Sequence, residues 1–234
     1  MKTNHMLNVL HLHEQEFMRI TAAVGAAEKK TSGEIAVVLT AESAHYAFWE
    51  LLAAVSTAAV VFAVLLPCAG AITAAYERMV WAPRVWVVPA LYGVICFAVT
   101  IAAFYLWNIA PLDRLIIPHR VQQASVTRCA FRTFAETGVH NTREHSGILI
   151  FVSYLERQVR IIADSGIAQK ISQDLWNIIA DDLAAEIRAH NAAEGFIAAI
   201  EKCGALLNEH FPIQRDDVNE LADGLIILEG TEWY

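Results

Sequence analysis

The chain has 234 residues, of which 56% are hydrophobic and 18% charged. This composition is too apolar and too weakly charged for an ordinary soluble protein of its length. Its formal net charge of −8, with no Lys/Arg stripe between aromatic residues, argues against nucleic-acid binding, and its four cysteines contain no C-x-x-C pair that would indicate a zinc site.

The first 45 residues predict a helix followed by a strand. The helix shows one apolar face at helical spacing, formed by Phe17, Ile20, Val24 and Ala27. A Thr-Ser-Gly turn ends the helix, and residues 34–40 (EIAVVLT) predict a buried strand. No continuous apolar core of the signal-peptide kind is present, so we expect this segment to stay in the cytosol.

Residues 46–112 predict a hairpin of two transmembrane helices. The apolar stretches 48–66 and 85–107 are each about the 20 residues needed to cross a bilayer. Between them, residues 67–84 carry Glu77, Arg78 and Arg84, which predicts a short loop on the far side of the membrane. A buried helical pair in a soluble protein is the alternative, but the chain is too short to cover such a pair completely.

Residues 113–211 return to an α/β pattern. A helix is predicted from Pro118 to Gly138, a buried strand at 147–153 (GILIFVS), and a hairpin partner at 159–163. Ser172 precedes a helix whose apolar residues recur at steps of four, and a last helix follows. Residues 212–234 predict an extended tail, in which 225–228 could pack locally. The apolar positions of the two last helices are Leu175, Ile179, Leu183 and Ile187, then Phe196, Ile200, Cys203 and Leu207.

Neither soluble segment contains enough sheet to bury its own strands, so we expect 1–45 and 113–211 to form one α/β domain split by the hairpin. Three stretches of these segments resemble the TPM-domain family, which includes the thylakoid lumen acid phosphatase and bacterial membrane proteins. The matching stretches are 31–39 (TSGEIAVVL), 146–152 (SGILIFV) and 156–162 (ERQVRII), with the turn glycine Gly166. The resemblance implies an α/β/α sandwich around a mixed sheet, interrupted here by the transmembrane hairpin.

The resemblance also implies, for one branch of the family, a phosphatase site made of acidic residues at loop ends. This chain departs from the family pattern, because His145-Ser146-Gly147 stands where Asn-Asn-Gly or Asp-Asn-Gly is common. Asp164-Ser165-Gly166 likewise replaces Gly-x-Gly. Both departures weaken the implied phosphatase activity.

Candidate site residues cluster in the loop before the second strand and at the end of the third. His140, Arg143 and His145 are candidate ligand-binding residues, because they would gather at one edge of the sheet. Glu144 and Asp164 could supply a carboxylate pair for acid/base catalysis or for a divalent cation. A solvated loop and a turn-forming aspartate are the alternatives.

Two functions remain open from the sequence. The first is an integral membrane protein that presents its α/β domain as a binding or assembly module for membrane or cytoplasmic protein partners. The second is a membrane-anchored hydrolase acting on phosphate esters. We expect a bacterial inner-membrane protein in the lipid bilayer, with the α/β domain and both termini in the cytoplasm.

Overall fold

The computed structural model describes residues 2–107, 109, 114–142, 144–213 and 224–228. The chain forms two compact units, one made of Met1–Ala44 with Arg120–Tyr234 and the other of His45–His119. The first unit is thus assembled from segments that lie on both sides of the second in the sequence.

A four-stranded mixed sheet forms the centre of the first unit. Its strands are β1 (Glu34–Thr40), β2 (Gly147–Ser153), β3 (Gln158–Ala163) and β4 (Leu225–Leu228), in the order β3-β2-β1-β4. β1 pairs in parallel with both β2 and β4, whereas β2 pairs antiparallel with β3. Every residue of β1 and β2 is buried, as expected for central strands that read as continuous apolar runs.

Helices cover both faces of this sheet. One face packs against α1 (Lys2–Val9), α2 (Glu14–Glu28), α8 (Gln173–Arg188) and α9 (Ala192–His210). The core on this face includes Ile20, Ile150 and Phe196. The other face packs against α6 (His119–Glu136) through Val38, Phe151 and Ala130. The predicted α/β/α sandwich with a mixed sheet is therefore confirmed. The helices of both units are α1 (Lys2–Val9), α2 (Glu14–Glu28), α3 (Ala47–Leu65), α4 (Ala69–Met79), α5 (Val87–Trp107), α6 (His119–Glu136), α7 (Ser165–Ala168), α8 (Gln173–Arg188) and α9 (Ala192–His210).

The buried face of α8 differs in part from the predicted one. Ile179 and Leu183 are buried as predicted, whereas Leu175 is 43% exposed and Trp176, which is 1% exposed, packs in the core instead. Steps of four residues advance 400° around a helix of 3.6 residues per turn, so the predicted series drifts about 40° per step away from a single face. Ser172 occupies the N-cap position, but its side chain makes no capping hydrogen bond. The four apolar positions predicted for α9 are all buried.

The second unit contains two helices long and apolar enough to cross a membrane. The first is the helical stretch Ala47–Met79, which comprises α3, a short 3₁₀ turn and α4, and the second is α5 (Val87–Trp107). Their mean hydropathies are 2.4 and 2.3, and in each apolar stretch only 11% of the residues are buried. Core helices of soluble proteins are mostly buried. This degree of exposure therefore fits contact with lipid better than a place in the core of a soluble protein. Two hydrogen bonds join the helices, from Tyr92 Oη to the Leu65 carbonyl (2.9 Å) and from Trp107 Nε1 to Thr57 Oγ1 (3.2 Å).

Two segments predicted as irregular are regular in the structure. The expected loop 67–84 contains a short 3₁₀ turn and α4, because its alanine-rich sequence favours helix and Pro67 stands where a helical turn tolerates it. In the predicted tail, residues 225–228 form β4, which pairs with Val37–Thr40 of β1. The apolar run LIIL has the side chains of a half-buried strand.

Candidate functional site

The candidate site lies where β3 ends beside the start of β2. Antiparallel pairing places Ala163 opposite Ile148, and the Asp164 backbone N–H donates to the Gly147 carbonyl at 2.9 Å. This pairing brings the loop before β2 and the turn after β3 together. The result is one contact between predicted site residues, because His145 Nδ1 lies 3.2 Å from Asp164 Oδ2.

Asp164 is buried and its two carboxylate oxygens each have a partner. Oδ1 accepts a hydrogen bond of 2.5 Å from the Ser165 backbone N–H and so caps α7, while Oδ2 faces His145. The His145 side chain is 61% exposed, whereas that of Asp164 is only 10% exposed. The pair therefore presents an imidazole to solvent and holds the carboxylate inside the turn.

Close backbone approach around this pair requires glycine at Gly166. A β-carbon there would lie 2.5 Å from the Glu144 carbonyl oxygen and 2.7 Å from that of His145. Any side chain at position 166 would push the turn away from the loop. The glycine thus sets the distance between the two segments that carry the site.

Glu144 links the same loop to the turn before β1. Ser32 Oγ lies 3.4 Å from Glu144 Oε2, and Ser146 Oγ donates to the Ser32 carbonyl at 3.0 Å. The Ser146 backbone N–H in turn donates to Thr142 Oγ1 at 3.0 Å. Glu144 therefore belongs to the polar contacts that connect the loops at this edge of the sheet.

The remaining predicted residues do not join this group of contacts. His140 lies in a 3₁₀ turn, with its ring centroid 6.3 Å from that of Phe134 on α6. Its Nδ1 is buried and has no hydrogen-bond partner in the described part of the chain. Arg143 lies outside the described residues, so its role in ligand binding stays a prediction.

The side chains at this edge do not resemble a metal centre. Within the residues that the structure describes, no group of three or more His, Cys, Asp or Glu side chains is placed to hold a metal ion. Calcium takes six to eight oxygen ligands, and the two oxygens of Asp164 already face protein groups. The cation predicted for Glu144 and Asp164 stays a prediction.

A second polar cluster, which the sequence did not reveal, lies at the carboxyl ends of β1 and β2. The Ser43 backbone N–H donates to Glu156 Oε1 (3.0 Å), and Ser43 Oγ donates to Ser153 Oγ (2.8 Å). Ser153 Oγ donates to Glu156 Oε2 at 2.5 Å. All three residues are buried. The available signal in the sequence is a serine at or just after the end of each predicted strand, Ser43 after β1 and Ser153 in β2. No sequence pattern indicates that residues so far apart come into contact.

The cluster affects the thiol of Cys129 on α6. Burial, the largest cause, raises the pKa of Cys129, and the charge of Glu156 raises it further, while hydrogen bonding to Thr133 and Ser43 lowers it. A thiol held in its neutral form is a weak nucleophile. The cluster therefore joins the turn after β2 to the segment after β1 and does not activate this cysteine.

Comparison with known proteins agrees with the fold. A family model described as the TPM domain matches residues 114–206. The NMR structure of the BA42 protein from the psychrophilic bacterium Bizionia argentinensis superimposes with a TM-score of 0.55 at 20% sequence identity, covering 93% of this chain and 95% of that one. At this identity the likeness concerns the fold alone. No curated protein matches the chain.

Proposed function

Since a family model described as the TPM domain matches residues 114–206, we propose that the chain is an integral membrane protein using this domain as a binding or assembly module. The partner would be a membrane or cytoplasmic protein. A membrane location is supported by α3 and α5, whose 19 and 21 residues match the thickness of a hydrocarbon core. Their largely exposed apolar side chains fit a lipid environment.

The single observation that carries the binding role is the geometry of Asp164. Both of its oxygens accept from, or face, groups of the chain itself, which is the arrangement of a helix cap. A catalytic carboxylate must instead reach a substrate or a metal in the transition state. The turn is thus suited to hold a recognition surface in a fixed shape.

The polar cluster at the carboxyl ends of β1 and β2 supports the same role. Glu156 accepts from Ser43 and Ser153 and so fixes the segment through which the chain leaves β1. A rigid domain keeps its surface preorganised for a partner, which lowers the entropic cost of binding.

A phosphate-ester hydrolase is the second candidate function, and one contact favours it. The 3.2 Å approach of His145 to Asp164 is the carboxylate–imidazole arrangement that orients a general base. Phosphoryl transfer also needs converging positive charge or metal ions around the transferring group. The net charge of −8 opposes the binding of anionic substrates, which favours the binding module.

Hydrolysis assays on the full chain in lipid nanodiscs would separate the two functions. We expect no metal-dependent turnover of an aryl phosphate above that of empty discs, and no difference in the Asp164→Ala or Glu144→Ala variants. Asp181→Ala, an exposed acidic position on α8, is the matched control. Metal-dependent hydrolysis that disappears in Asp164→Ala but survives in Asp181→Ala would establish the hydrolase.

Partner binding is tested by a photo-crosslinking residue at position 145 in native membranes. We expect a discrete adduct of the chain with one protein, and none from the same residue at position 208, at the far end of α9. Equal labelling from both positions would contradict a recognition surface at the site.

We further propose an inner-membrane orientation with both termini in the cytoplasm. Arg114, Arg120 and Arg128 follow the second apolar helix, against Arg78 and Arg84 between the helices, and basic residues favour the cytoplasmic side. A cysteine at Thr73 should react with an impermeant reagent added outside intact cells, whereas one at Asn208 should not. Labelling in the reverse pattern would invert the orientation.

A further inference from the structure

A groove in the first unit lies away from the candidate site. It has a volume of about 360 Å³ and lies between the carboxyl end of β2, the start of β3 and the ends of α1 and α8. Its apolar wall contains Leu10, Val152, Val159 and Ile187. Ligand pockets typically measure about 300–1,000 Å³ and are mostly apolar with few polar groups, so this groove has the size of a small-molecule site.

Two arginines lie in the polar part of the groove. Arg157 and Arg188 line it together with His190, and all three are exposed. No carboxylate among the described residues forms an ion pair with any of the three. Arg188 Nε donates to the Ala184 carbonyl at 3.0 Å, and the positive charge of the two guanidinium groups, which no carboxylate neutralises within the described residues, is complementary to an anion.

Two residues at this rim carry side chains although their backbone conformations favour glycine. Arg157 has φ 52° and His190 has φ 64°, both in the left-handed region. A glycine would adopt either conformation without strain. A side chain kept in such a position is a reason to look for a function of that side chain.

From these features we propose that the groove binds a small amphiphilic carboxylate, with its aliphatic or aromatic body on the apolar wall and its carboxylate beside Arg157 and Arg188. Guanidinium groups bind carboxylates through paired N–H donors. The helices α1 and α8 both end at the groove, and the partial negative charge of helix C-termini disfavours a doubly charged phosphate more than a carboxylate. This site is separate from the partner surface proposed above.

Calorimetry with octanoate tests the proposal on the full chain in lipid nanodiscs, with the heat of empty discs subtracted. Octanamide, which has the same chain but no charge, is the ligand control. We expect saturable octanoate binding, with octanamide at least about tenfold weaker, because hydrogen bonds to charged groups contribute more than those to neutral groups. The double variant Arg157→Gln/Arg188→Gln should weaken octanoate binding by about the same factor.

Two further variants keep the test independent of folding defects. Arg128→Gln removes the same charge from an exposed position of α6 and should leave binding unchanged. Ala184→Leu fills the groove without altering charge, and it should weaken octanoate and octanamide alike. Binding that is equal to that of empty discs, or that is unchanged in both the double arginine variant and Ala184→Leu, would overturn the proposal.

Discussion

At the scale of single residues, Asp164 connects a local turn to a long-range contact. Its Oδ1 caps α7 and its Oδ2 faces His145. We expect Asp164→Ala to lower the free energy of unfolding of the first unit by about 1 kcal/mol, the usual cost of losing an N-cap. Asp164→Asn keeps an oxygen for the cap and should recover most of that loss.

Urea-dependent hydrogen exchange of the β1 and β2 amides measures this difference in the full chain. If alanine and asparagine at position 164 destabilise the unit equally, the cap is not the main contribution of this side chain.

Cys203 supplies a pH-dependent contribution to stability. Its thiol is completely buried, and burial raises its pKa to about 12 from an ordinary 9.0. Above pH 9 the unfolded chain loses the thiol proton while the folded chain keeps it, so this contribution is full below pH 9 and is lost as the pH rises towards 12. The expected loss is about 1.4 kcal/mol per pH unit within that window.

The Cys203→Ala variant isolates this effect. It should be less stable than the parent at pH 7, because it leaves a small cavity, and the difference should shrink between pH 9 and 10.5. A stability difference that stays constant over this range would contradict a raised thiol pKa.

Single-residue contacts were only partly predictable from the sequence. The turn-forming alternative for Asp164 needed only its neighbours, Ser165 and Gly166. The Ser43–Glu156 contact joins residues 113 positions apart, and no local pattern encodes such a pairing.

At the scale of elements, β4 forms in a segment for which the sequence predicts an extended tail with local packing. Leu225 and Ile227 pack against the core on one face of the sheet, whereas Ile226 is 37% exposed. We expect Ile227→Ser to destabilise the first unit by about 1–2 kcal/mol, since it removes a half-buried apolar side chain. Ile226→Ser is the matched control on the same strand and should change stability by less than about 0.5 kcal/mol.

Amide exchange in Val37–Thr40 of β1, which pair with β4, gives the readout. Equal exchange in the two variants would show that β4 adds no packing energy to the sheet.

The elements differ in how strongly the sequence specified them. β1 and β2 were predicted with their observed bounds, because continuous apolar runs between turn residues suit central strands and little else. The four-residue β4 is too short to show a period, and its pairing depends on the exposed edge of β1. The charged residues Glu77 and Arg78 favour a loop between the two apolar helices, but the helix propensity of the alanines dominates there and forms α4.

At the scale of the whole molecule, the sheet unites segments that the hairpin separates. β1 lies before the second unit in the chain, yet it pairs along its full length with β2, which lies after it. Continuous apolar runs between turn residues predicted both elements, but register and neighbour order come from tertiary packing. The sequence suggested one split domain because neither half could cover its strands alone.

This organisation predicts that the first unit folds without the second. Replacing residues 45–117 by a flexible Gly/Ser linker between Ala44 and Pro118 keeps all four strands and both covering layers. We expect a monomeric protein that unfolds in one cooperative transition, with coincident curves from far-ultraviolet circular dichroism and tryptophan fluorescence. The linker costs little free energy, because loop-closure entropy grows only slowly with length.

As a control, the same protein with Val38→Asp should fail to fold, because the substitution places a charge in the centre of β1 where the side chain is fully buried. Two separate transitions, or aggregation of the parent protein equal to that of the control, would show that the two sequence segments need the hairpin to form one domain.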